Sequence, residues 1–402
     1  MRKYILIGTG NRMIEMFLKP IITDYQSYAQ IIAIFDINIT RAKYVSSLIP
    51  YTVKIYSDLN LLFDENDADY CIIATVDFMH EEYINEALKR NIKVICEKPV
   101  CTTLEQCIAL FNLTPSQQKN IVITFNSRYM PINIKIDNII KSGILGKIYS
   151  IKYHYYVDIN HGAEYFRRWH RYKKNSGSLL VHKSVHHFDL INWWISDRVK
   201  VVNASGQLLR FGENKKQHGI VCRKCKEKCR FKISKDKMAE FKEMYFDAEK
   251  TDGYLRDKCV FDNDIDIYDT MHVSLLYQSG IFVDYSLMLY SAYTGFSLKI
   301  YGEKYQLELE YNQNKNENII TILDYDNNII NSIAIDSIPL KKHNGGDEKL
   351  REILFTGTDR DKLPHLEEGV NAVLTGIAAC KSIETGCVIV TQNLIKEENS
   401  NA

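Results

Sequence analysis

The first 125 residues alternate between short apolar runs and longer amphipathic stretches. Each apolar run is flanked by polar or glycine-containing sequence, and the runs occupy residues 4–7, 31–35, 70–74, 93–96 and 121–125. Between them lie segments with helical periodicity, such as residues 81–90 (EEYINEALKR). Strands that alternate with helices at this spacing predict a parallel sheet covered by helices.

The pattern changes after residue 125. One helical segment (132–142) precedes a strand (148–157), and another helical segment follows at 179–195. Apolar or alternating runs then follow without helices between them, which indicates an antiparallel sheet; they lie at 270–278, 281–289, 296–301 and 305–311. A last helical segment spans 367–385, and residues 391–402 form a polar tail that we expect to fray.

The fold class predicted from these patterns is α/β. We expect a doubly wound parallel sheet over residues 1–125 and an α+β domain with a large, mostly antiparallel open sheet over residues 126–390. A charged insertion that contains several cysteines interrupts the second domain at residues 211–265.

Composition narrows the class of protein. The 402 residues include 51 basic and 50 acidic side chains, so charge gives no reason to expect a nucleic-acid partner or an anionic membrane surface. No apolar run reaches the roughly 18 residues that a membrane span needs. Ten cysteines without a secretion signal favour a reduced, cytoplasmic setting over a disulfide framework.

A glycine-containing turn follows the first predicted strand. Gly8 permits a tight turn, and Gly10 lets the backbone approach a pyrophosphate. The helix that opens with Asn11, Arg12 and Met13 would then stabilise that pyrophosphate with its N-terminus.

Asp36 ends the second predicted strand. A carboxylate at this place accepts hydrogen bonds from the ribose diol of adenosine and repels a 2′-phosphate, which favours NAD over NADP. Met13 takes the third glycine position of the dinucleotide pattern, which leaves the packing of the helix on the strand open. Together the turn and Asp36 predict a Rossmann domain that binds NAD.

Four further segments carry a family resemblance. Glu97-Lys98-Pro99 follows a late strand of the first domain, residues 74–80 read ATVDFMH, residues 126–131 read NSRYMP, and residues 368–369 (EG) begin near the last helix. In this order they resemble the Gfo/Idh/MocA oxidoreductases. With the glycine turn, the resemblance implies a cofactor site made of Gly8, Gly10, Asn11, Arg12, Met13, Asp36, Ala74, Thr75, His80, Glu97 and Lys98.

Residues 176–189 (SGSLLVHKSVHHFD) are similar to the family's second-domain motif, with His182 where an Asp is usual. Oxidation of an alcohol by NAD needs a base for the hydroxyl proton and a donor that fixes the substrate oxygen. The resemblance assigns these roles to His186 and Lys98. The chemistry agrees, because histidine titrates near neutral pH and a lysine beside an oxidised nicotinamide has a lowered pKa.

His182 has three interpretations. It acts as a substrate hydrogen-bond partner or proton relay in place of the family Asp, it binds a metal together with His186, or it is a packing residue. The spacing of four residues places both histidines on one helix face if the helix has begun by then.

Other side chains in these segments suit a polyhydroxylated ring, because they offer donors or aromatic faces. They are Arg128, Trp169, Arg171, Lys183 and His187. The alternative is that Trp169 packs in the core and Arg171 makes a surface ion pair.

The insertion contains Cys222, Cys225 and Cys229 at knuckle-like spacing, and Cys259 follows 30 residues later. Four thiolates can close a tetrahedral structural zinc site, and the neighbouring lysines and arginines would offset its negative charge. Free thiols in a charged loop and an iron–sulfur cluster are the alternatives.

The function predicted first is an NAD-dependent oxidoreductase acting on a secondary hydroxyl or keto group of a sugar, glycoside, inositol or sugar derivative. The alternatives are an NAD-dependent glycosidase that works by transient oxidation and elimination, and a nucleotide-sensing protein without catalysis. The resemblance also implies a homodimer or homotetramer.

Overall fold

The computed structural model describes residues 1–214, 219–336 and 342–401. Part of the predicted insertion (215–218) and the last residue of the predicted tail (402) lie outside the described residues.

Six strands form the N-terminal sheet: β1 (Arg2–Ile7), β2 (Ala29–Phe35), β3 (Lys54–Tyr56), β4 (Tyr70–Ile73), β5 (Lys93–Cys96) and β6 (Ile121–Ile123). All neighbouring pairs are parallel, and the order is β3-β2-β1-β4-β5-β6. The strand order reverses between β1 and β4, and ligands of such sheets bind in the crevice beyond the carboxyl ends at that point. The predicted doubly wound sheet is confirmed.

Helices connect these strands, and the first of them begins directly after the glycine turn. It runs without a break through Asn11–Met13, a π-helical stretch at Ile14–Leu18, and Lys19–Thr23. Met13 is fully buried in the core between this helix and the sheet. The other helical segments of this domain are Ile39–Ser47, Leu59–Asp64, Asp77–Met79, His80–Lys89, Leu104–Phe111 and Pro115–Gln118.

Nine strands form the second sheet: β7 (Ile148–Asp158), β8 (Val199–Gln207), β9 (Thr270–Tyr277), β10 (Phe282–Ser291), β11 (Gly295–Gly302), β12 (Gln306–Asn312), β13 (Glu317–Leu323), β14 (Ile329–Asp336) and β15 (Ile389–Val390). Their order is β14-β13-β12-β11-β7-β10-β9-β8-β15. Only the pair β7 and β10 is parallel among these described strands. The predicted, mostly antiparallel sheet is confirmed, although β8 and β13–β15 were not predicted.

Some helical segments of the second domain pack against this sheet, and others contact the first domain. They are Asn126–Tyr129, Pro131–Lys141, Ile159–Arg167, Trp169–Arg171, Lys173–Ser176, Leu179–His182, Val185–Ile195, Lys342–Gly345, Gly346–Thr356, Arg360–Lys362, Leu366–Thr385 and Thr391–Asn401. The single helix predicted at 179–195 is wrong. The helix ends at His182 and a new one begins at Val185, so His182 and His186 do not share one continuous helix face.

The C-terminal segment is a helix where the sequence predicts a frayed tail. Thr391 is buried and its hydroxyl donates to the carbonyl oxygen of Val199, 2.8 Å away. Leu394 is also buried. These contacts tie the start of the segment to the second sheet, which corrects the prediction.

The insertion folds back onto the first domain. Its helical segments are Gly212–Asn214, Lys235–Phe241, Lys242–Phe246 and Glu249–Asp252. Met244 and Tyr245 are buried in the core of the N-terminal domain. Within the part of the chain that the structure describes, no helix combines the length and apolarity of a membrane span.

Candidate active site

A cleft opens where β1 ends. Gly8 has a φ of +90°, and a Cβ atom there would lie 2.7 Å from the carbonyl oxygen of Ala74, so the turn requires glycine. Around Gly10 a Cβ atom would meet nothing within 4 Å. The helix that starts at Asn11 begins directly behind this open backbone. Such an arrangement binds a pyrophosphate, because the first N–H groups of the helix have no partner within it.

Asp36 follows β2 and is buried at the edge of this cleft. Its Oδ2 accepts hydrogen bonds from the backbone N–H and the hydroxyl of Thr9, at 2.8 and 2.5 Å. Its Oδ1 accepts one from the backbone N–H of Asn38 at 2.7 Å, and Arg41 Nη1 lies 3.6 Å from the same oxygen. A carboxylate offers about four acceptor positions, so Oδ1 keeps one for a ribose hydroxyl.

The cleft, together with the open solvent at its mouth, contains about 1240 Å³ of free space. Most of the predicted cofactor residues line it, namely Gly8, Gly10, Asn11, Arg12, Asp36, Ala74 and Thr75. Met13 does not, because its side chain packs into the core, and its prediction as a cofactor residue is corrected. The open space over Gly10 and the acceptor on Asp36 fit a dinucleotide.

A second cleft continues from the first and contains about 970 Å³ of free space, including the open solvent at its mouth. The two share Arg12, Ala74, Thr75, Arg168 and Trp169 among their lining residues. The second cleft is also lined by the predicted His80, Glu97, Lys98, His182, Lys183 and His186. Both domains therefore contribute to one site beside the first cleft.

Lys98 follows β5 and connects the two domains. Its Nζ donates to the carbonyl oxygen of His182 at 2.9 Å. Burial lowers the pKa of Lys98, while the carboxylates of Asp77 and Glu97 oppose this shift. The Lys98–Pro99 peptide is cis, and His80 Nδ1 donates to the carbonyl oxygen of Pro99 at 2.7 Å.

His182 forms a buried pair with Asp77. His182 Nδ1 and Asp77 Oδ2 lie 2.5 Å apart, and both side chains are at most one-tenth exposed. Burial lowers the pKa of His182 well below its ordinary value, and the charge of Lys98 adds to this shift. Burial also raises the pKa of Asp77, which Lys98 opposes. A hydrogen bond joins these two atoms, so Nε2 is the ring nitrogen that does not engage Asp77.

Arg12 organises the boundary between the two clefts. Its Nε donates to Glu97 at 2.7 Å, and its two terminal nitrogens donate to the two oxygens of Asp347, each at 3.1 Å. Asn126 donates to the same Asp347 at 2.7 Å. This network ties the glycine-turn helix to the strand-end Glu97 and to a helix of the second domain.

Profiles of two protein domains match this chain. The NAD-binding Rossmann fold of the Gfo/Idh/MocA oxidoreductase family matches residues 2–125, and the family's C-terminal alpha/beta domain matches residues 138–391. The chain belongs to the Gfo/Idh/MocA oxidoreductase family. The predicted family resemblance is thereby confirmed, and the first cleft lies at the strand ends of the NAD-binding Rossmann domain.

Relatives in this family differ in how much they share with the chain. YteT of Bacillus subtilis (strain 168) is 30% identical over 429 residues, which cover 99% of this chain and 100% of YteT. The inositol 2-dehydrogenase of Salmonella typhimurium (strain LT2) is 25% identical over 185 residues, covering 44% of this chain and half of that protein. The glucose-6-phosphate 3-dehydrogenase of Bacillus subtilis is 27% identical over 170 residues, covering 42% and 47%.

Solved structures share the fold over nearly the whole chain. An oxidoreductase domain protein from Kribbella flavida gives a TM-score of 0.70 at 14% identity, covering 97% of this chain and 100% of that one. An oxidoreductase from Agrobacterium radiobacter in complex with NAD+, L-tartaric acid and magnesium gives 0.65 at 15% identity, covering 98% and 99%.

Three predicted substrate residues lie away from the clefts of this oxidoreductase. Arg128 is buried against Asp189 and also donates to Glu368. Arg171 is fully buried and donates to Asp264, which agrees with the ion-pair alternative except that the pair is not on the surface. His187 lies 2.7 Å from the Tyr285 hydroxyl and stacks on Tyr155. All three are held by protein partners, so their prediction as substrate ligands is corrected.

The four cysteines of the insertion, Cys222, Cys225, Cys229 and Cys259, line one small pocket. Cys222 Sγ accepts from Arg167 Nη1 at 2.8 Å, and Cys229 Sγ accepts from the backbone N–H of Phe231 at 3.4 Å. Over residues 1–214, 219–336 and 342–401, no group of three His, Cys, Asp or Glu side chains is arranged to hold a metal ion. The expectation of zinc and the metal interpretation of His182 with His186 gain no support.

Some residues of the site were not predicted. Asp77 lies in the segment 74–80 that resembles the family. The histidine at position 182, where the family has an acid, is the signal that could have led to an acid elsewhere in the site. Arg168 and His170 line the second cleft next to the predicted Trp169. Tyr245 and two further insertion residues line the first, and no sequence signal places the insertion there.

Proposed function

We propose that this protein is an NAD-dependent dehydrogenase or reductase that acts on a secondary hydroxyl or keto group of a sugar, glycoside, inositol or sugar derivative. The observation that carries the proposal is the convergence of Lys98, His182 and His186 on one cleft that continues from the NAD-binding cleft. The names of two relatives, inositol 2-dehydrogenase and glucose-6-phosphate 3-dehydrogenase, support the substrate class.

NAD, when bound, supplies the hydride acceptor or donor. In the proposed reaction Lys98 donates a hydrogen bond to the substrate oxygen and fixes its position, since an ammonium has three donors and the His182 carbonyl uses only one. His186 takes the hydroxyl proton during oxidation and returns it during reduction.

His182 and Asp77 serve as the relay in this proposal. Nδ1 of His182 is committed to Asp77, so Nε2 is the atom that exchanges a proton with groups in the cleft. A family Asp would meet the substrate with one charged carboxylate. Here the acid is contributed by the first domain and acts through an imidazole of the second.

The substrate cleft contains enough polar groups to select a polyhydroxylated ring. Trp169 and Tyr165 present aromatic faces, and Arg168, Lys183 and His161 present donors. Aromatic faces stack on the apolar face of a sugar, while the donors read its hydroxyl groups.

A substrate panel tests the proposal. Purified protein is incubated with NAD and, separately, with myo-inositol, glucose 6-phosphate, free sugars and aryl glycosides, and NADH is followed by absorbance. Net NADH with at least one compound supports the dehydrogenase. Release of the aryl group without net NADH would instead identify the glycosidase reaction. Binding of NAD without either reaction would contradict an enzymatic function on these compounds.

A further inference from the structure

The second half of the insertion forms a wall of the cofactor cleft. Tyr245, Asp252 and Tyr254 line the same cleft as Gly8 and Gly10, although they come from the second domain's sequence. Gly253, with a φ of +71°, ends the short helix before Tyr254 and allows the chain to turn there.

Specific contacts hold this wall on the Rossmann domain. Asn38 Nδ2 donates to the carbonyl oxygen of Ala248 at 2.9 Å in a buried position. The hydroxyls of Thr40 and Thr251 lie 3.1 Å apart. Since Met244 and Tyr245 are buried beside these contacts, the wall is a packed part of the structure.

Arg41 lies between two carboxylates at this wall. Its Nη2 donates to Asp252 at 2.6 Å, and its Nη1 lies 3.6 Å from Asp36. Burial raises the pKa of Asp252, but hydrogen bonds from Asn38 and Tyr254 and the charge of Arg41 outweigh it, so the pKa is lowered and the group is ionised at neutral pH. An arginine beside the acid at the end of the second strand is the group that accommodates a 2′-phosphate in NADP sites.

We propose that Asp252 is a residue that determines cofactor specificity. Its carboxylate engages the Arg41 guanidinium and adds a second negative charge beside Asp36, so the site takes NAD and rejects the 2′-phosphate of NADP. The proposal rests on the NAD-binding site described above and concerns only which nucleotide binds. Removing the charge of Asp252 leaves one negative charge, on Asp36, beside the positive charge of Arg41. The Arg41 nitrogen that engaged Asp252 can then donate to a phosphate.

Titration calorimetry with NAD and with NADP tests this on the full chain. Wild-type protein is expected to bind NAD more tightly than NADP. In Asp252→Asn the Kd for NADP relative to that for NAD falls on the order of tenfold, the effect of removing one like charge close to the phosphate. Glu249→Gln is the matched control: it lies on the same short helix and loses the same charge, but its carboxylate pairs with Arg223.

A second variant makes the outcome decisive. Arg41→Ala combined with Asp252→Asn should lose the gain in NADP binding, because the freed guanidinium is then missing. The proposal is overturned if Asp252→Asn keeps the wild-type ratio of the two Kd values, if the control changes it equally, or if wild-type protein binds NADP as tightly as NAD. Binding is measured without turnover, so these results leave the proposed reaction to be judged separately by the substrate panel.

Discussion

Nδ1 of His182 lies 2.5 Å from Oδ2 of Asp77, and this contact joins the second domain to the Rossmann domain inside the substrate cleft. The resemblance places an Asp at position 182, and this chain has a histidine there and an acid at position 77 instead. Asp77 and His182 both line this cleft, so the acid and the imidazole form one buried polar pair there.

Asp77→Asn should lower kcat on the order of ten- to a hundredfold, because the amide keeps the shape of the pair but cannot share its proton. The pH dependence of kcat should change as well, because loss of the carboxylate alters the charge beside the His182 imidazole. Steady-state rates across pH measure both effects. Asp67→Asn, at a fully exposed side chain, is the control. An unchanged rate and profile in Asp77→Asn would exclude the relay.

The two glycines of the turn should respond differently to alanine. Gly10→Ala is expected to keep the thermal stability, since nothing lies within 4 Å of the added Cβ, and to weaken NAD binding because the methyl group projects into the cofactor's space. Gly8→Ala is expected to lower the stability by about 1–2 kcal/mol or more, because of its positive φ and the contact with Ala74. Thermal melts and NAD titrations distinguish the two; equal effects of both substitutions would contradict this assignment.

Arg128→Met should destabilise the fold rather than weaken substrate binding. Asp189 is 1% exposed and would remain as a buried carboxylate without its partner, which typically costs about 3–5 kcal/mol. Arg198→Met removes an exposed partner of Glu367 and should cost at most about 1 kcal/mol. Urea unfolding measures both. A normally stable Arg128→Met protein with a raised KM would show that the residue contacts substrate after all.

Lys183 makes stability depend on pH in a defined direction. Burial and the charge of Lys98 lower its pKa to about 7, whereas in the unfolded chain it returns to about 10.4. Between these values the unfolded state binds more protons, so stability rises with pH through this window. Lys183→Met has no titrating group at this position, so its stability lacks this pH-dependent contribution. The free energy of unfolding is measured for both proteins at about pH 7 and pH 9. From the lower to the higher pH, wild type should gain stability relative to Lys183→Met. An equal difference between the two proteins at both pH values would refute the lowered pKa.

Five strands of the first domain were predictable because they are largely buried and their sequences are continuous apolar runs. β3 (Lys54–Tyr56) is short and partly exposed, and it was not predicted. The glycine turn and Asp36 of this domain are adjacent to strands in sequence, so their place at the cleft follows from the parallel topology. In the second sheet, β13 (ENIITIL) and β14 (IINSIAID) do not alternate regularly between apolar and polar residues, so neither shows a clear strand pattern.

The sequence pattern could not predict which residues pair across the two domains. Asp77 and His182 are 105 positions apart, and their contact depends on how the two domains pack. The docking of Asp252 on Arg41 depends likewise on the path of the insertion. Arg128 and Arg171 have the donors of a substrate ligand, but only burial and ion pairing in the structure show that protein carboxylates occupy them.

In the proposed reaction, Lys98 and His186 carry hydride-transfer chemistry beside bound NAD. This role of the two residues is tested most directly by the rate of NADH formation in Lys98→Met and His186→Ala, with the compound of the panel on which wild type is most active. NAD affinity should stay close to wild type while the rate falls on the order of a hundredfold or more in each variant. Formation of NADH at the wild-type rate by either variant, with NAD still bound, would contradict the account.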